Sequence, residues 1–307
     1  MKPLLIIGGA TGSGKSDIAV ACAKILNGEI LSMDSMQIYR ELNIGTAKIT
    51  QEEMRGVPHH LIDICSPEDS FTAADYKVKA QEIIKEVQSR GKLPILCGGT
   101  GLYLNAVLYD LSFSGEFDPK LRNELLAEAK EKGKEAMHEK LRALDPDAAN
   151  RLHPNDEKRV IRAIEKAMTG GEKERDFEQA KYPYRLFVTD LPREVLYQKI
   201  ERRVDRMMRE GLLAEVKDLL RRGIGYDKQC MQAIAYKEWA FADEGMKQED
   251  VVALIKKNTR NYAKRQITWF KQYQDAVRIS VEDRNSEEIA EEIARIYEGN
   301  DEDTGRS

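Results

Sequence analysis

Residues 9–16 read Gly-Ala-Thr-Gly-Ser-Gly-Lys-Ser, a complete G-x-x-x-x-G-K-[ST] phosphate-binding loop. The apolar run 4–7 before the loop suits a buried strand, and residues 17–26 after it carry apolar side chains at helical spacing. Strand, glycine-rich loop and helix in this order form the setting in which the motif binds phosphate. The stretch therefore predicts an α/β fold built on a phosphate-binding loop.

The loop residues have distinct expected parts in binding a phosphate. Its glycines allow positive φ and let the backbone approach an anion closely. Successive N–H groups and the following helix N-terminus then face the anion. Lys15 can reach terminal phosphate oxygens, and the Ser16 hydroxyl is placed to ligate Mg²⁺, the expected cofactor. The predicted phosphate-binding residues are Gly9, Ala10, Thr11, Gly12, Ser13, Gly14, Lys15 and Ser16.

The composition describes an ordinary soluble protein of 307 residues, with 41% hydrophobic and 33% charged residues. No apolar run approaches the length of a membrane span, and the first residues lack the pattern of a signal peptide. The four cysteines are scattered without metal-binding spacing, which favours reduced thiols. We therefore expect a cytoplasmic protein without a membrane partner.

The order of apolar runs and helical patterns indicates a parallel sheet with helical crossovers. Strands are predicted at 4–7, 30–33, 60–64, 93–97 and 186–190. Helices are predicted at 17–26, at 73–90 with Thr72 as N-cap and Gly91 as stop, and throughout 118–168. After the strand at 186–190, long helices are predicted up to residue 297. Residues 170–181 are expected to form a loop or hinge. The purely helical stretch between two strand-bearing regions predicts a small helical insertion in an α/β core.

Residues 256–271 are basic, with six Lys or Arg, no acidic residue and three aromatic side chains between them. Basic residues with interleaved aromatics suit a polyanion whose bases can stack. A solvated amphipathic helix whose aromatics face the core would show the same pattern. The charge pattern alone does not decide between these two interpretations.

Two further strand ends carry polar or glycine-rich turns. Asp34 follows the predicted strand 30–33, and Gly98-Gly-Thr-Gly-Leu-Tyr103 follows the strand at 93–97. Because the carboxyl ends of parallel strands line one crevice, Asp34 and Thr100 should face the phosphate loop. A carboxylate there could hold Mg²⁺ through water, accept a proton from a nucleophile, or simply cap the next helix.

With these motifs the chain resembles the tRNA dimethylallyltransferases over roughly residues 3–275. The phosphate loop is common to many families, whereas Asp34-Ser-Met-Gln and the 98–103 turn together are more specific. Ala235 is a departure, because members of the family usually have glycine there. Segments that share the resemblance are 9–16, 34–39, 43–48, 56–63, 98–103, 153–156 with Arg159 and Arg162, 203–207, 211–216, 232–238 and 259–270.

The resemblance implies a P-loop NTPase-like core with a parallel sheet flanked by helices, plus a small all-helical insertion domain. The core would comprise residues 1–114 and 186–298, and the insertion 115–185 would contact tRNA. Residues 299–307 would form a disordered tail. A monomer is expected, because no exposed apolar heptad seam is apparent.

The implied reaction moves a dimethylallyl group from its diphosphate to N6 of the adenosine 3′-adjacent to the anticodon. Lys15, Mg²⁺ on Ser16 and Arg203 would stabilise the charge on the departing diphosphate. Asp34 would accept the proton of the adenine amine, and Thr100 would help to orient that amine. By spacing alone, Arg203 is a surface arginine on a core-facing helix, so its role rests on the resemblance.

The implied partner is the tRNA anticodon stem-loop, with the target base flipped into the enzyme. Ser35, Met36 and Gln37, with Asp34 and Thr100, would contact the base and its neighbours. The RNA backbone would be held by Arg159, Arg162, Lys264 and Arg265.

Two other classes of protein share the phosphate loop. A P-loop kinase for a small metabolite or nucleoside would use ATP and could hold Mg²⁺ through Asp34. A nucleotide-switched binding protein would bind nucleotide tightly and hydrolyse it slowly. Neither class has an evident use for the 98–103 turn together with the basic and aromatic stretch near the C-terminus.

Overall fold

The computed structural model describes residues 2–109, 111, 118–170 and 180–299. Its strands are β1 (Leu4–Gly8), β2 (Gly28–Met33), β3 (His59–His60), β4 (Leu93–Gly98), β5 (Tyr184–Asp190) and β6 (Val277–Ser280). The helices up to the middle of the chain are α1 (Lys15–Ile25), α2 (Gln51–Met54), α3 (Ala73–Ser89), α4 (Gly101–Leu108), α5 (Pro119–Leu144), α6 (Pro146–Arg151) and α7 (Glu157–Met168). The later helices are α8 (Arg193–Glu210), α9 (Leu212–Arg221), α10 (Ala240–Asp243), α11 (Gln248–Phe270) and α12 (Ser286–Glu298).

The chain divides into two compact units, Met1–Asp110 with Ala180–Ser307, and Leu111–Gln179. The described part of the second unit consists of α5, α6 and α7, which enclose a separate apolar core that includes Met137, Leu141 and Ile164. The predicted helical insertion is thus confirmed. The loop expected at 170–181 and the disordered tail expected at 299–307 fall mainly on residues 171–179 and 300–307, outside the described residues.

The strands of the first unit form one parallel sheet, with the order β3-β2-β4-β1-β5-β6 in the described part of the chain. β1 is internal, so Ile6 pairs with Leu96 of β4 on one side and with Leu186 of β5 on the other. Every strand therefore ends at the same edge of the sheet. This arrangement confirms the predicted parallel sheet flanked by helices.

Helices cover both faces of the sheet, which explains the unbroken apolar runs of its strands. Leu4 and Ile6 point to a core shared with α3, α4, α8 and α9. Leu5 and Ile7 point to the opposite core, which α1 and α12 cover. Both β1 faces are fully buried, and the phosphate loop begins directly after this rigid strand.

Two predictions of strands need correction. The strand expected at 60–64 is wrong beyond His60, because Leu61 and Asp63 adopt φ of 64° and 56° and the chain turns. The long helices expected between the strand at 186–190 and residue 297 omit β6, which pairs with β5 at the sheet edge. Val277 and Ile279 alternate with polar residues, which is typical of a strand. A pattern of four residues is too short to be distinguished from the helical patterns on either side of it.

The predicted helix ends were more accurate. Thr72 caps α3 and forms a capping box with Asp75, while Gly91 follows the helix with a φ of 70°. β5 begins at Tyr184, two residues before the expected strand. All four cysteines are buried and free. Within the described ranges, helices of sufficient length lack the apolar character needed to cross a membrane.

Ala235 lies in the segment between α9 and α10 and has a φ of 80°, in the left-handed region that favours glycine. Its N–H donates a 2.8 Å hydrogen bond to the Glu238 carboxylate, and the residue is buried. The departure from the family pattern noted in the sequence therefore falls on a strained backbone position.

We expect Ala235→Gly to raise the free energy of unfolding by about 1 kcal/mol, because it removes the Cβ clash of a left-handed residue. Chemical denaturation of the two proteins measures the difference. Ala233→Gly is the matched control, since Ala233 has an ordinary φ of −63° and glycine there should lower stability. Equal effects of the two substitutions would contradict this explanation.

Candidate functional site

Four strand ends meet at one edge of the sheet and bring together the predicted motifs. The phosphate loop, residues 9–16, follows β1, and Asp34 follows β2. Gly99 and Thr100 follow β4, and Thr189 lies near the end of β5. Because these strands are neighbours in the order β2-β4-β1-β5, their ends are neighbours as well. The crevice predicted from the sequence is therefore present.

The phosphate loop has the backbone conformation expected of its glycines. Gly9, Gly12 and Gly14 have φ of 147°, 82° and 84°, and Gly14 caps the N-terminus of α1. A side chain at Gly9 would overlap the Thr189 hydroxyl, which also forms a 2.7 Å hydrogen bond with the Ser13 hydroxyl. Thr189 of β5 thus packs against the phosphate loop, and the N-terminus of α1 faces the crevice.

Lys15 lies within the crevice, where its Nζ donates a 3.0 Å hydrogen bond to the Ala10 carbonyl. Burial lowers the pKa of Lys15 below its ordinary value, and the Arg203 charge acts in the same direction while Asp34 opposes it. A bound phosphate would stabilise the charged ammonium and compete for its hydrogen bonds.

A cavity of about 260 Å³ opens over the phosphate loop, and we call it the phosphate cavity. Its wall includes Lys15 and Ser16 from the loop and three basic residues of α8, Lys199, Arg203 and Arg206. These three follow an i, i+4, i+7 spacing, which places them on one face of the helix. Sequence reasoning missed Lys199 and Arg206, although this spacing on an otherwise core-facing helix was a usable signal.

The Arg203 side chain connects the phosphate loop to the backbone at Thr46. Its Nη1 lies 3.4 Å from the Thr11 hydroxyl, to which it donates, and its Nη2 donates to the Thr46 carbonyl at 3.3 Å. Burial lowers the pKa of the guanidinium, while the nearby Asp34 carboxylate opposes this change. The interpretation as a surface arginine is therefore wrong, and the side chain points into the candidate site.

Asp34 caps a turn rather than the helix considered from the sequence. Its Oδ1 accepts hydrogen bonds from the N–H groups of Met36, at 2.9 Å, and Gln37, at 3.3 Å, so it caps the turn after β2. In the described residues no hydrogen-bond donor contacts Oδ2, which leaves that oxygen available to a ligand. The carboxylate is partly exposed and lines the phosphate cavity.

A second cavity of about 270 Å³ meets the phosphate cavity at Thr11, Asp34 and Arg203, and we call it the adjoining cavity. Its lining combines apolar side chains with groups that can form hydrogen bonds or stack on a base. Its apolar residues include Ile200, Val204, Met207 and Ile255, and its polar and aromatic residues include Ser35, Gln232, Lys237, Thr259, Tyr262 and Arg265.

Loop 43–48 closes the site beside Arg203. The Glu215 carboxylate accepts hydrogen bonds from the backbone N–H groups of residues 43–45 and a 2.6 Å bond from the Tyr236 hydroxyl. Gly45 packs so closely on the Tyr236 ring that a Cβ would overlap it. The carbonyl of Thr46 is thereby held in place for Arg203.

The residues expected to contact the tRNA base surround Asp34. Ser35 and Met36 line the adjoining cavity, and the Ser35 N–H donates to the Thr100 hydroxyl at 3.3 Å. Gln37 lines the phosphate cavity, but its amide donates to the carbonyls of residues 46 and 47, each at 3.3 Å. Its side chain thus also holds loop 43–48.

The basic stretch falls mainly on the second half of α11, where it forms an amphipathic helix, one of the two interpretations left open by its charge. Phe270 is buried in the core, while Lys264 and Arg265 are exposed, with the Arg265 guanidinium 5.6 Å from the Tyr262 ring centre. Arg260 forms a 2.5 Å ion pair with Glu201 of α8 and is engaged within the protein.

The remaining arginines predicted to bind RNA lie on α7 of the second unit. Arg159 and Arg162 are both exposed, and their guanidinium groups contact Asp156 at 3.5 Å and Glu165 at 3.0 Å. Glu165 is almost fully buried and is also bonded by Arg122, so it orients two cationic groups on the surface of this unit. Arg122 was not predicted from the sequence.

The fold and the site define a protein with a P-loop NTPase-like core, in which a carboxylate lies where two cavities meet. The sequence model of the family described as IPP transferase matches residues 37–273. A tRNA dimethylallyltransferase from Bacillus cereus (strain G9842) is 45% identical over 97% of this chain and 95% of its own length. This chain therefore belongs to the IPP transferase family, as its motifs suggested.

Solved structures agree with this assignment. The tRNA isopentenylpyrophosphate transferase of Bacillus halodurans is 43% identical and has a TM-score of 0.75, covering 97% of this chain and 96% of that protein. A eukaryotic dimethylallyltransferase solved acting on tRNA is 28% identical and has a TM-score of 0.78, covering 92% of this chain and 75% of that protein.

We expect Arg206→Ala to weaken the binding of inorganic diphosphate about tenfold, because it removes one cation from the phosphate cavity. Isothermal titration calorimetry of the two proteins measures the change. Arg202→Ala is the matched control, because Arg202 lies on the same helix, is exposed and bonds to Gln198 away from this cavity. An equal loss in both variants would assign the effect to overall charge.

Proposed function

We propose that this protein transfers a dimethylallyl group from dimethylallyl diphosphate to N6 of the adenosine 3′-adjacent to the tRNA anticodon and releases diphosphate. Relatives named as tRNA dimethylallyltransferases match nearly the whole chain, which supports this reaction. The observation that carries the proposal is the junction of the two cavities at Asp34 and Arg203. A diphosphate and a base could each occupy one cavity and meet at these two residues.

The charges on either side of the junction suit the two halves of the reaction. Lys15, Arg203 and the α1 N-terminus would stabilise the negative charge that develops on the diphosphate as the allylic C–O bond breaks. The adenine amine forms the new C–N bond at the same carbon and becomes more acidic as it does so. Asp34, through the oxygen that is not used in the cap, would then accept the amine proton.

Mg²⁺ is proposed as the cofactor, and the oxygen donors of the phosphate cavity fit it. The Ser16 hydroxyl lies at the first turn of α1, and Asp34 lines the same cavity. Mg²⁺ usually takes one or two protein oxygens together with substrate phosphates and water, so a dense carboxylate cluster is not required. When bound, Mg²⁺ would neutralise part of the charge on the leaving diphosphate.

Recognition of tRNA is proposed to use the adjoining cavity and the basic surfaces. A stacked adenine cannot reach Asp34 within a cavity, so the target nucleotide would be flipped out of the anticodon loop. Tyr262 and Met36 at the adjoining cavity could pack on the flipped base. Lys264 and Arg265 of α11, and Arg159 and Arg162 of the second unit, would bind RNA phosphates.

A P-loop kinase is the alternative that the phosphate loop and Asp34 would also suit. The similarity of the whole chain to proteins named as transferases favours prenyl transfer, and it also disfavours a nucleotide-switched binding protein. Incubation with unmodified tRNA, Mg²⁺ and radiolabelled dimethylallyl diphosphate tests the proposal directly. Label on the tRNA adenine without ATP is expected, and ATP consumption with a small hydroxyl compound would support a kinase instead.

We expect Asp34→Asn to lower kcat by about 10² to 10⁴-fold, because an amide can keep the turn cap but cannot accept the proton. The KM for dimethylallyl diphosphate should stay within about twofold of its original value. Steady-state kinetics with saturating tRNA measures both constants. Asp250→Asn, at an exposed position early in α11, is the control. An undiminished kcat in Asp34→Asn would remove Asp34 as the base.

We also expect Ser16→Ala to raise the Mg²⁺ concentration needed for half-maximal transfer by about tenfold, because it removes a hydroxyl ligand. Ser16→Thr retains the hydroxyl and should respond to Mg²⁺ as the unmodified protein does. Titration of MgCl₂ into protein treated with EDTA measures the dependence. Full activity in EDTA would show that transfer proceeds without a divalent cation.

A further inference from the structure

We propose that Gln266 is a positioning residue that sets the separation between the phosphate loop and the turn carrying Thr100. This inference rests on the proposed transfer reaction, in which these two segments hold the leaving diphosphate and the accepting amine. Gln266 lies on α11, whereas the phosphate loop follows β1 and the turn that carries Thr100 follows β4.

The Gln266 amide forms one hydrogen bond to each segment. Its Oε1 accepts from the Thr11 N–H of the phosphate loop at 2.8 Å, and its Nε2 donates to the Gly99 carbonyl at 3.0 Å. The side chain is buried, so loss of either bond would leave a buried backbone group without its partner. One segment needs an acceptor and the other a donor, and a single carboxamide supplies both.

Gly99 is matched to this contact. A Cβ at residue 99 would overlap the Gln266 amide nitrogen, so only glycine lets the amide reach the carbonyl. The nearby Gly9 carbonyl would also lie 3.1 Å from such a Cβ, which shows how closely the two segments approach each other. Gly99 of the 98–103 turn therefore leaves the space that the Gln266 amide occupies.

Tyr262 lies one turn earlier on α11 and lines the adjoining cavity together with Thr11 and Asp34. Burial raises the pKa of Tyr262 to about 12, so its hydroxyl stays neutral. On the other segment, the Thr100 hydroxyl accepts from the Ser35 N–H, beside Asp34.

α11 is held firmly against the loop on either side of Gln266. Ala263 packs in a buried cluster with Ala10 and Ile200, and the Phe270 ring leaves no room for a Cβ at Gly8. These contacts lie about one turn before and after Gln266 and limit its movement. α11 therefore holds Gln266 in a fixed position, and Gln266 sets the distance between the phosphate loop and the 98–103 turn.

The test is Gln266→Glu, assayed for dimethylallyl transfer across a range of pH. A protonated carboxyl can accept from Thr11 and donate to Gly99, whereas an ionised one cannot donate and repels the carbonyl. Burial favours the protonated form of such a carboxyl, whereas the Lys15 and Arg203 charges that line the same cavity favour its ionised form. The ratio of kcat in Gln266→Glu to kcat in the original protein should therefore rise about tenfold as pH falls from about 8.5 to about 5.5.

Gln272→Glu is the matched control, because Gln272 is exposed just beyond the end of α11. The ratio of kcat in Gln272→Glu to kcat in the original protein should not change with pH. Thermal unfolding at each pH shows that the variants are folded at the assay temperature, so that a change in kcat reports the site. A flat ratio in Gln266→Glu would overturn the proposal.

Gln266→Met keeps most of the side-chain volume and removes both hydrogen bonds, so it serves if Gln266→Glu does not fold. We expect about a tenfold lower kcat with a pH-independent ratio and little change in the KM for tRNA. An unchanged kcat in this variant would equally overturn the inference. Absence of transfer by the original protein would instead contradict the proposed function, so the two failures are distinguishable.

Discussion

The parallel alignment of β2, β4, β1 and β5 is the constraint on which the site depends. Parallel neighbours end at the same edge of a sheet, so each loop that follows them is delivered to one crevice. The phosphate loop, Asp34, Gly99 and Thr189 are far apart along the chain, yet they meet because their strands are adjacent in the sheet. The helices on both faces bury the strands and make this edge rigid.

The crevice concentrates positive charge in a partly desolvated place. Lys15, Arg203 and Arg206 surround one cavity, and burial lowers the pKa of both Lys15 and Arg203. Holding the Lys15 and Arg203 charges close together in this partly desolvated place is unfavourable in the unliganded protein, and an anion with several oxygens relieves it. Asp34 opposes the change in both pKa values and lies where the two cavities meet, so charge stabilisation and proton acceptance are available at one point.

Residues outside the sheet fix the positions of the loops that follow its strands. Glu215 holds loop 43–48 through three backbone N–H groups, and that loop in turn accepts from Arg203 and Gln37. On the other side, Gln266 of α11 connects Thr11 to Gly99. These polar contacts between distant segments are directional and demand a definite spacing, which apolar packing alone would not impose.

The phosphate loop, the alternation of strands and helices, and the candidate base Asp34 could be predicted from local sequence, because each is encoded within a few neighbouring residues. Local patterns failed at Leu61 and Asp63, whose left-handed backbone ends a predicted strand, and at β6, whose four residues are stabilised by pairing with β5. Gln266 emerged only from the tertiary structure, because its partners Thr11 and Gly99 lie well over one hundred residues away along the chain. The spacing of Lys199 and Arg206 is local, but their place at the phosphate cavity follows from the packing of α8 rather than from local propensity.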